Sequence, residues 1–106
     1  MKPFSQRVCE LALSIPAGQV STYGDLAKAA GGGGQASRSV SGILSKYPNK
    51  GAIPWHRIVY AGGKVWMAPE YEAKRRELYA LEDIYVNEKG IITNFEEIRV
   101  NFSELT

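Results

Sequence analysis

The chain has 106 residues, 44% of them hydrophobic, one cysteine, one histidine and a formal net charge of +2. This is enough for one small packed domain, and it argues against a disordered tail. One cysteine excludes an internal disulfide and fits a reducing cytoplasm. One cysteine with one histidine excludes a structural zinc site of the usual kind. No apolar run reaches the roughly 18 residues of a membrane span, and the first residues, broken by charge at Glu10, do not read as a signal peptide.

The charge is unevenly spread. Residues 1–64 carry eight Lys/Arg against Glu10 and Asp25, a balance of +6, whereas residues 65–106 carry five basic against nine acidic groups, a balance of −4. A basic segment joined to an acidic one points to a face for a polyanion.

In chain order, Phe4, Val8, Leu11, Ala12 and Ile15 recur at helical spacing, so residues 3–14 read as an amphipathic helix with Pro3 in its first turn. Ile15-Pro16-Ala17-Gly18 breaks it. Thr22 and Asp25 form a capping-box pattern that opens a helix from Tyr23 to about Ala30. Four glycines, 31–34, end that helix. They lack the Gly-Lys-Ser/Thr of a phosphate-binding loop and read as a flexible turn. A further helix is expected from about Gln35 to Lys46, with Ala36, Val40, Ile43 and Leu44 on one face and Pro48 closing it. Two short helices joined by a glycine turn read as helix-turn-helix.

Arg57 to Tyr60 is expected to be a strand, Ala61 to Lys64 a hairpin turn, and Val65-Trp66 a return strand. Residues 70–82 return to helical spacing, with Tyr71, Leu78 and Leu81 as the apolar positions. The tail alternates around Asn87-Glu88-Lys89-Gly90, as in a small hairpin or extended arm. The expected fold class is mainly α with short β-hairpins, a single helix-turn-helix, winged-helix-like domain over 1–106, with 83–106 as a C-terminal extension.

Three segments carry a resemblance. Ser21-Thr22-Tyr23-Gly24-Asp25-Leu26-Ala27, Ala36-Ser37-Arg38-Ser39-Val40 and Pro54-Trp55-His56-Arg57 resemble, in order, segments of the O6-alkylguanine-DNA alkyltransferases. The third corresponds to their Pro-Cys-His-Arg loop, whose cysteine accepts an alkyl group. Here Trp55 stands in its place, and an indole offers no thiolate nucleophile. The combination resembles the alkyltransferase-like proteins, which bind alkylated DNA without repairing it. It covers roughly residues 4–82 and matches the family's DNA-binding domain, without the separate N-terminal domain of larger members.

The resemblance implies DNA contacts from Thr22, Tyr23, Ser37 and Arg38. Arg38 would fill the base stack left by a rotated nucleotide, and Tyr23 would crowd the adjoining phosphate. It implies an alkylguanine pocket made by Tyr23, Trp55, Ile58 and Ala68, and a structural remnant of the catalytic network in His56 and Glu82. Arg57 is expected to brace the loop, and Cys9 to be a small core residue. Two positions depart from the family: Tyr47-Pro48 replaces Asn-Pro, and Ala68-Pro69 replaces Tyr-Ser, which predicts a roomier pocket.

The expectation is therefore a non-enzymatic sensor of O6-alkylguanine in double-stranded DNA, acting by minor-groove binding and base flipping and flagging the lesion for nucleotide-excision-repair damage-recognition proteins. No catalytic residue, metal or cofactor is expected. The protein is expected to be a monomer and cytoplasmic, nucleoid-associated if bacterial. The alternatives are a sequence-specific helix-turn-helix transcription regulator, or an active alkyltransferase with another acceptor.

Overall fold

The computed structural model describes residues 3–32 and 36–102. Its elements are α1 (Phe4–Leu13), β1 (Ser21–Thr22), α2 (Tyr23–Ala29), α3 (Ser37–Ser45), β2 (Ile58–Val59), α4 (Glu72–Leu81) and α5 (Phe95–Ile98), with short 3-10 turns at Lys50–Ala52, Trp55–Arg57 and Ala61–Gly63. Among the described residues no helix is long and apolar enough to cross a membrane.

Helices α1, α2 and α3 pack together because each has one apolar stripe. Val8 and Ala12, Leu26 and Ala27, and Val40 and Leu44 are fully or almost fully buried in one cluster. Burial of such side chains contributes roughly 1.5–3 kcal/mol each for the larger ones. The Thr22 hydroxyl accepts the Asp25 N–H at 2.9 Å, so the expected cap starts α2. Gly31, at φ +91, turns the chain out of α2, and a Cβ on Gly32 would lie 2.5 Å from Ala36 Cβ and 2.8 Å from Phe4 Cε1. Glycine at 32 therefore lets the α2–α3 turn sit close against α1. The expected start of the next helix at Gln35 lies outside the described residues.

A two-stranded parallel sheet lies between this cluster and a second one. Ser21 pairs with Ile58 and Thr22 with Val59. Successive strand residues point to opposite faces. Accordingly Ile58 enters the helical cluster, while Val59 joins Val20, Val65, Tyr79, Ile84, Ile92 and Phe95.

Two sequence expectations are corrected here. The strand at 58–59 has no hairpin partner at Val65-Trp66. The expected turn forms, with Gly62 and Gly63 at φ +78 and +87 and Tyr60 N–H donating to Lys64 O at 2.8 Å, but Val65 N–H then donates to Gly90 O at 2.9 Å. In α4, Leu81 is 74% exposed and Tyr71, just before the helix, 53%, whereas Tyr79 is 1% exposed. The inward stripe runs through Arg75, Tyr79 and Glu82, at i, i+4 and i+7, so its ends are polar and apolar spacing alone gives the wrong phase.

The C-terminal part is docked on the domain. Val86 and Ile92 form an antiparallel bridge around the 87–90 turn. Asn87 Oδ1 accepts the N–H groups of Lys89 and Ile91 at 2.9 and 3.0 Å. Residues 98–100 then extend the sheet edge: Val20 N–H donates to Ile98 O at 3.0 Å and Val100 N–H to Val20 O at 2.8 Å. Arg99 clasps the Asp25 carboxylate with two bonds of 2.8 Å. The side-chain bonds from Arg99 outweigh burial and hold the Asp25 pKa below its ordinary value.

Candidate DNA interface and base pocket

The N-terminal ends of α2 and α3 open onto one cleft of about 410 Å³. Thr22, Tyr23, Ser37, Arg38, Ser41 and Tyr60 are among its lining residues. All four residues expected to touch DNA thus share one cleft. Trp55, Ile58 and Ala68 are not part of its lining. Arg38 is exposed in the first turn of α3, with Ser37, Ser39, Ser41 and Gly42 around it. A Cβ on Gly42 would meet nothing within 4 Å, so this helix face is open. A large surface could approach its backbone closely.

Tyr60, directly after β2, was not singled out by the sequence reasoning. Its ring lies 5.7 Å from that of Tyr23 at an interplanar angle of 33°. Burial, reinforced by Tyr60, pushes the Tyr23 pKa up, so its phenol stays a protonated donor at neutral pH. The only sequence signal for Tyr60 was its place at the exit of the strand.

Trp55 begins a 3-10 turn after Pro54 and is half-buried, packed against the helical cluster. Its backbone is held on both sides: Trp55 N–H donates to Ile53 O at 2.9 Å, and Trp55 O accepts from Arg75 Nη1 at 3.4 Å. The Arg75 guanidinium also lies 5.2 Å from the Trp66 ring centre, and Trp66 lies 5.7 Å from Tyr71. Ala68 closes a turn by accepting the Tyr71 N–H at 2.9 Å. Ile58, expected as pocket lining, is 3% exposed and belongs to the core. That expectation is corrected: strand alternation turns its side chain inward, leaving no free surface for a base.

The turn is anchored on Glu82. His56 Nε2 lies 2.7 Å from Glu82 Oε2. Arg57 makes a two-pronged contact with the same carboxylate, Nε to Oε1 at 2.9 Å and Nη2 to Oε2 at 2.8 Å. Gly18 N–H donates to Oε1 at 3.0 Å, and Arg57 Nη1 donates to Ile15 O at 3.1 Å. One carboxylate thereby ties the end of α4, the Trp55 turn and the α1–β1 connection together. Burial works to raise the Glu82 pKa, but the bonds from Arg57, the Gly18 amide and His56 prevail and bring it down to about 2. Such a group is a fixed anion and a weak proton acceptor.

Tyr79, beneath this turn, has its ring 6.1 Å from His56. Its buried hydroxyl faces the Arg75 guanidinium without a well-formed hydrogen bond among the described residues; burial pushes its pKa up and Arg75 works to lower it. Cys9 sits on α1, half-buried against the core, and burial raises its pKa. It is the chain's single cysteine and does not line the cleft. Among the described residues no cluster of three or more His, Cys, Asp or Glu could hold a metal.

Set beside known proteins, residues 3–84 match the family model described as the DNA binding domain of 6-O-methylguanine DNA methyltransferase. The chain is 38% identical over 100 residues to a DNA base-flipping protein of Escherichia coli, covering 93% of this chain and 75% of that one. It is 28% identical over 107 residues to alkyltransferase-like protein 1 of Schizosaccharomyces pombe, covering 98% and 94%. Its fold matches that of S. pombe Atl1 in a crystal structure with damaged DNA containing O6-carboxymethylguanine, with a TM-score of 0.71, 22% identity, and coverage of 95% and 99%. The chain belongs to the DNA-binding-domain family of the O6-methylguanine methyltransferases, together with the base-flipping, alkyltransferase-like proteins.

Proposed function

We propose that this protein is a non-enzymatic sensor that binds O6-alkylguanine in duplex DNA, rotates the damaged nucleotide out of the helix and holds it. The observation that carries this reading is Trp55. By the resemblance of the Pro54-Trp55-His56-Arg57 turn to the Pro-Cys-His-Arg loop of the alkyltransferases, it stands where they carry their acceptor cysteine. An indole accepts no alkyl group by thiolate attack. The neighbouring His56–Glu82 contact, braced by Arg57 on both Glu82 oxygens, serves to hold the turn. The relatives support the same reading: the E. coli protein is a DNA base-flipping protein, and S. pombe Atl1 has been crystallised with O6-carboxymethylguanine DNA.

Function follows from a balance of terms. Extruding a base costs a few kcal/mol of pairing and stacking. Arg38 offsets part of this by entering the vacated stack with a planar cation. Tyr23 and Tyr60 receive the nucleotide at the cleft. By the same resemblance, Trp55 and the small Ala68, outside the lining of the cleft itself, accept the alkyl group, whose burial contributes about 25 cal/mol per Å² of apolar surface. An unmodified guanine pays the extrusion cost without that last term. Docking through α3 uses the minor groove, where small residues permit close approach. The retained complex, formed by a monomer, flags the lesion for nucleotide-excision-repair damage-recognition proteins.

The test is base flipping without transfer. In a duplex with 2-aminopurine beside an O6-methylguanine, binding brightens the probe, and a methyl label on the lesion stays with the DNA. Label recovered on the protein contradicts the reading.

A further inference from the structure

We propose that the DNA-contact surface continues past the α2–α3 cleft, across Tyr60, into a second groove where Lys64 and Lys89 hold the phosphodiester backbone flanking the extruded nucleotide. This rests on the duplex-binding reading above and extends it to the C-terminal hairpin. Tyr60 lines both the cleft and the second groove, so the two adjoin at this residue. The second groove, of about 320 Å³, is lined by Lys64, Trp66, Arg76, Glu88 and Lys89, among others.

The hairpin is built to stay there. Lys64 and Ile91 form an antiparallel bridge, and Val65 N–H donates to Gly90 O at 2.9 Å. The Asn87 side chain bonds the Lys89 N–H at 2.9 Å, fixing the turn that presents Lys89. Both lysines are exposed, and neither ammonium has an ion-pair partner among the described residues. The other groove cation, Arg76, is committed to Glu72 at 2.9 Å. Trp66 is 42% exposed, with its ring held by Tyr71 and Arg75, and offers a flat apolar surface to a sugar face.

Charge placement selects the occupant. Residues 65–106 are acidic overall, and Lys89 is the one basic residue between 77 and 98. It sits in the groove that adjoins the Arg38 cleft. A flexible lysine acts as a point charge toward phosphate, and each phosphate neutralised releases condensed counterions. Glu88, on the same turn, and Glu72, paired with Arg76, are the opposing charges of the groove.

The experiment measures affinity against salt concentration for the full chain and for Lys64→Gln, Lys89→Gln and Glu88→Gln, on a plain duplex and on the same duplex with one O6-methylguanine. Each lysine variant is expected to lower the log–log salt slope by about one on both duplexes and to leave the ratio between them unchanged. Glu88→Gln is expected to tighten binding at low salt. Wild-type slopes in both lysine variants overturn the proposal. If the wild-type protein does not distinguish the two duplexes, the sensor reading fails, and the slopes on the plain duplex still decide the groove.

Discussion

Arg57 and Glu82 are joined by two parallel bonds of 2.9 and 2.8 Å, although 25 residues separate them. With His56 on the same carboxylate, the pair fixes the turn that presents Trp55. Removing one partner would leave a largely buried cation without its counter-charge. Glu82→Gln is therefore expected to destabilise the fold by about 3 kcal/mol, read as a fall in the urea midpoint with an unchanged slope. An unaltered midpoint would show that the turn is held by other contacts.

The same carboxylate sets an acid response. Its folded pKa is about 2, below the ordinary 4.5. A depressed carboxylate contributes stability above the unfolded pKa and loses it as pH falls through the folded value. Asp25, lowered by Arg99, acts in the same direction. Stability should therefore decline between about pH 5 and pH 2, and Glu82→Gln should flatten that decline. Denaturation midpoints across this range check the slope.

Tyr79→Phe removes a buried hydroxyl that has no well-formed hydrogen bond among the described residues. The nearby Arg75 compensates its desolvation only in part, so its removal should change stability by no more than about 1 kcal/mol. Thermal melting of the variant decides this, and clear destabilisation would mean that the phenol is satisfied.

Arg38 and Trp55 are expected to fail differently. Arg38→Ala should weaken binding to the lesion duplex by about 1–3 kcal/mol, and Arg38→Lys should recover little, because an ammonium cannot stack as a planar guanidinium does. Trp55→Ala should erode the preference for alkylated over plain DNA more than overall affinity. Titrations by fluorescence anisotropy separate the two patterns. Equal losses on both duplexes for Trp55→Ala would make it a scaffold residue only.

Local signals in the sequence were faithful where the physics is local. The Thr22–Asp25 cap, the apolar stripes of α1 and α3 and the Asn87–Gly90 turn were legible because each is encoded within a few residues. The Ser21–Ile58 parallel pairing was not, since the partners are far apart and no tight turn connects them. The phase of α4 was misread because Arg75 and Glu82 occupy inward positions as ligands of the Trp55 turn, where apolar residues would be looked for. Tyr60 and the hairpin lysines escaped notice for a related reason. Each is unremarkable in its own segment and meets the others only through the folded chain.

The most direct measurement compares equilibrium binding to two duplexes of identical sequence, one bearing a single O6-alkylguanine. The account predicts clearly tighter binding to the damaged duplex, in every sequence context tried, with the alkyl group remaining on the DNA. Equal affinity for both duplexes, or a preference that follows sequence irrespective of damage, would contradict it.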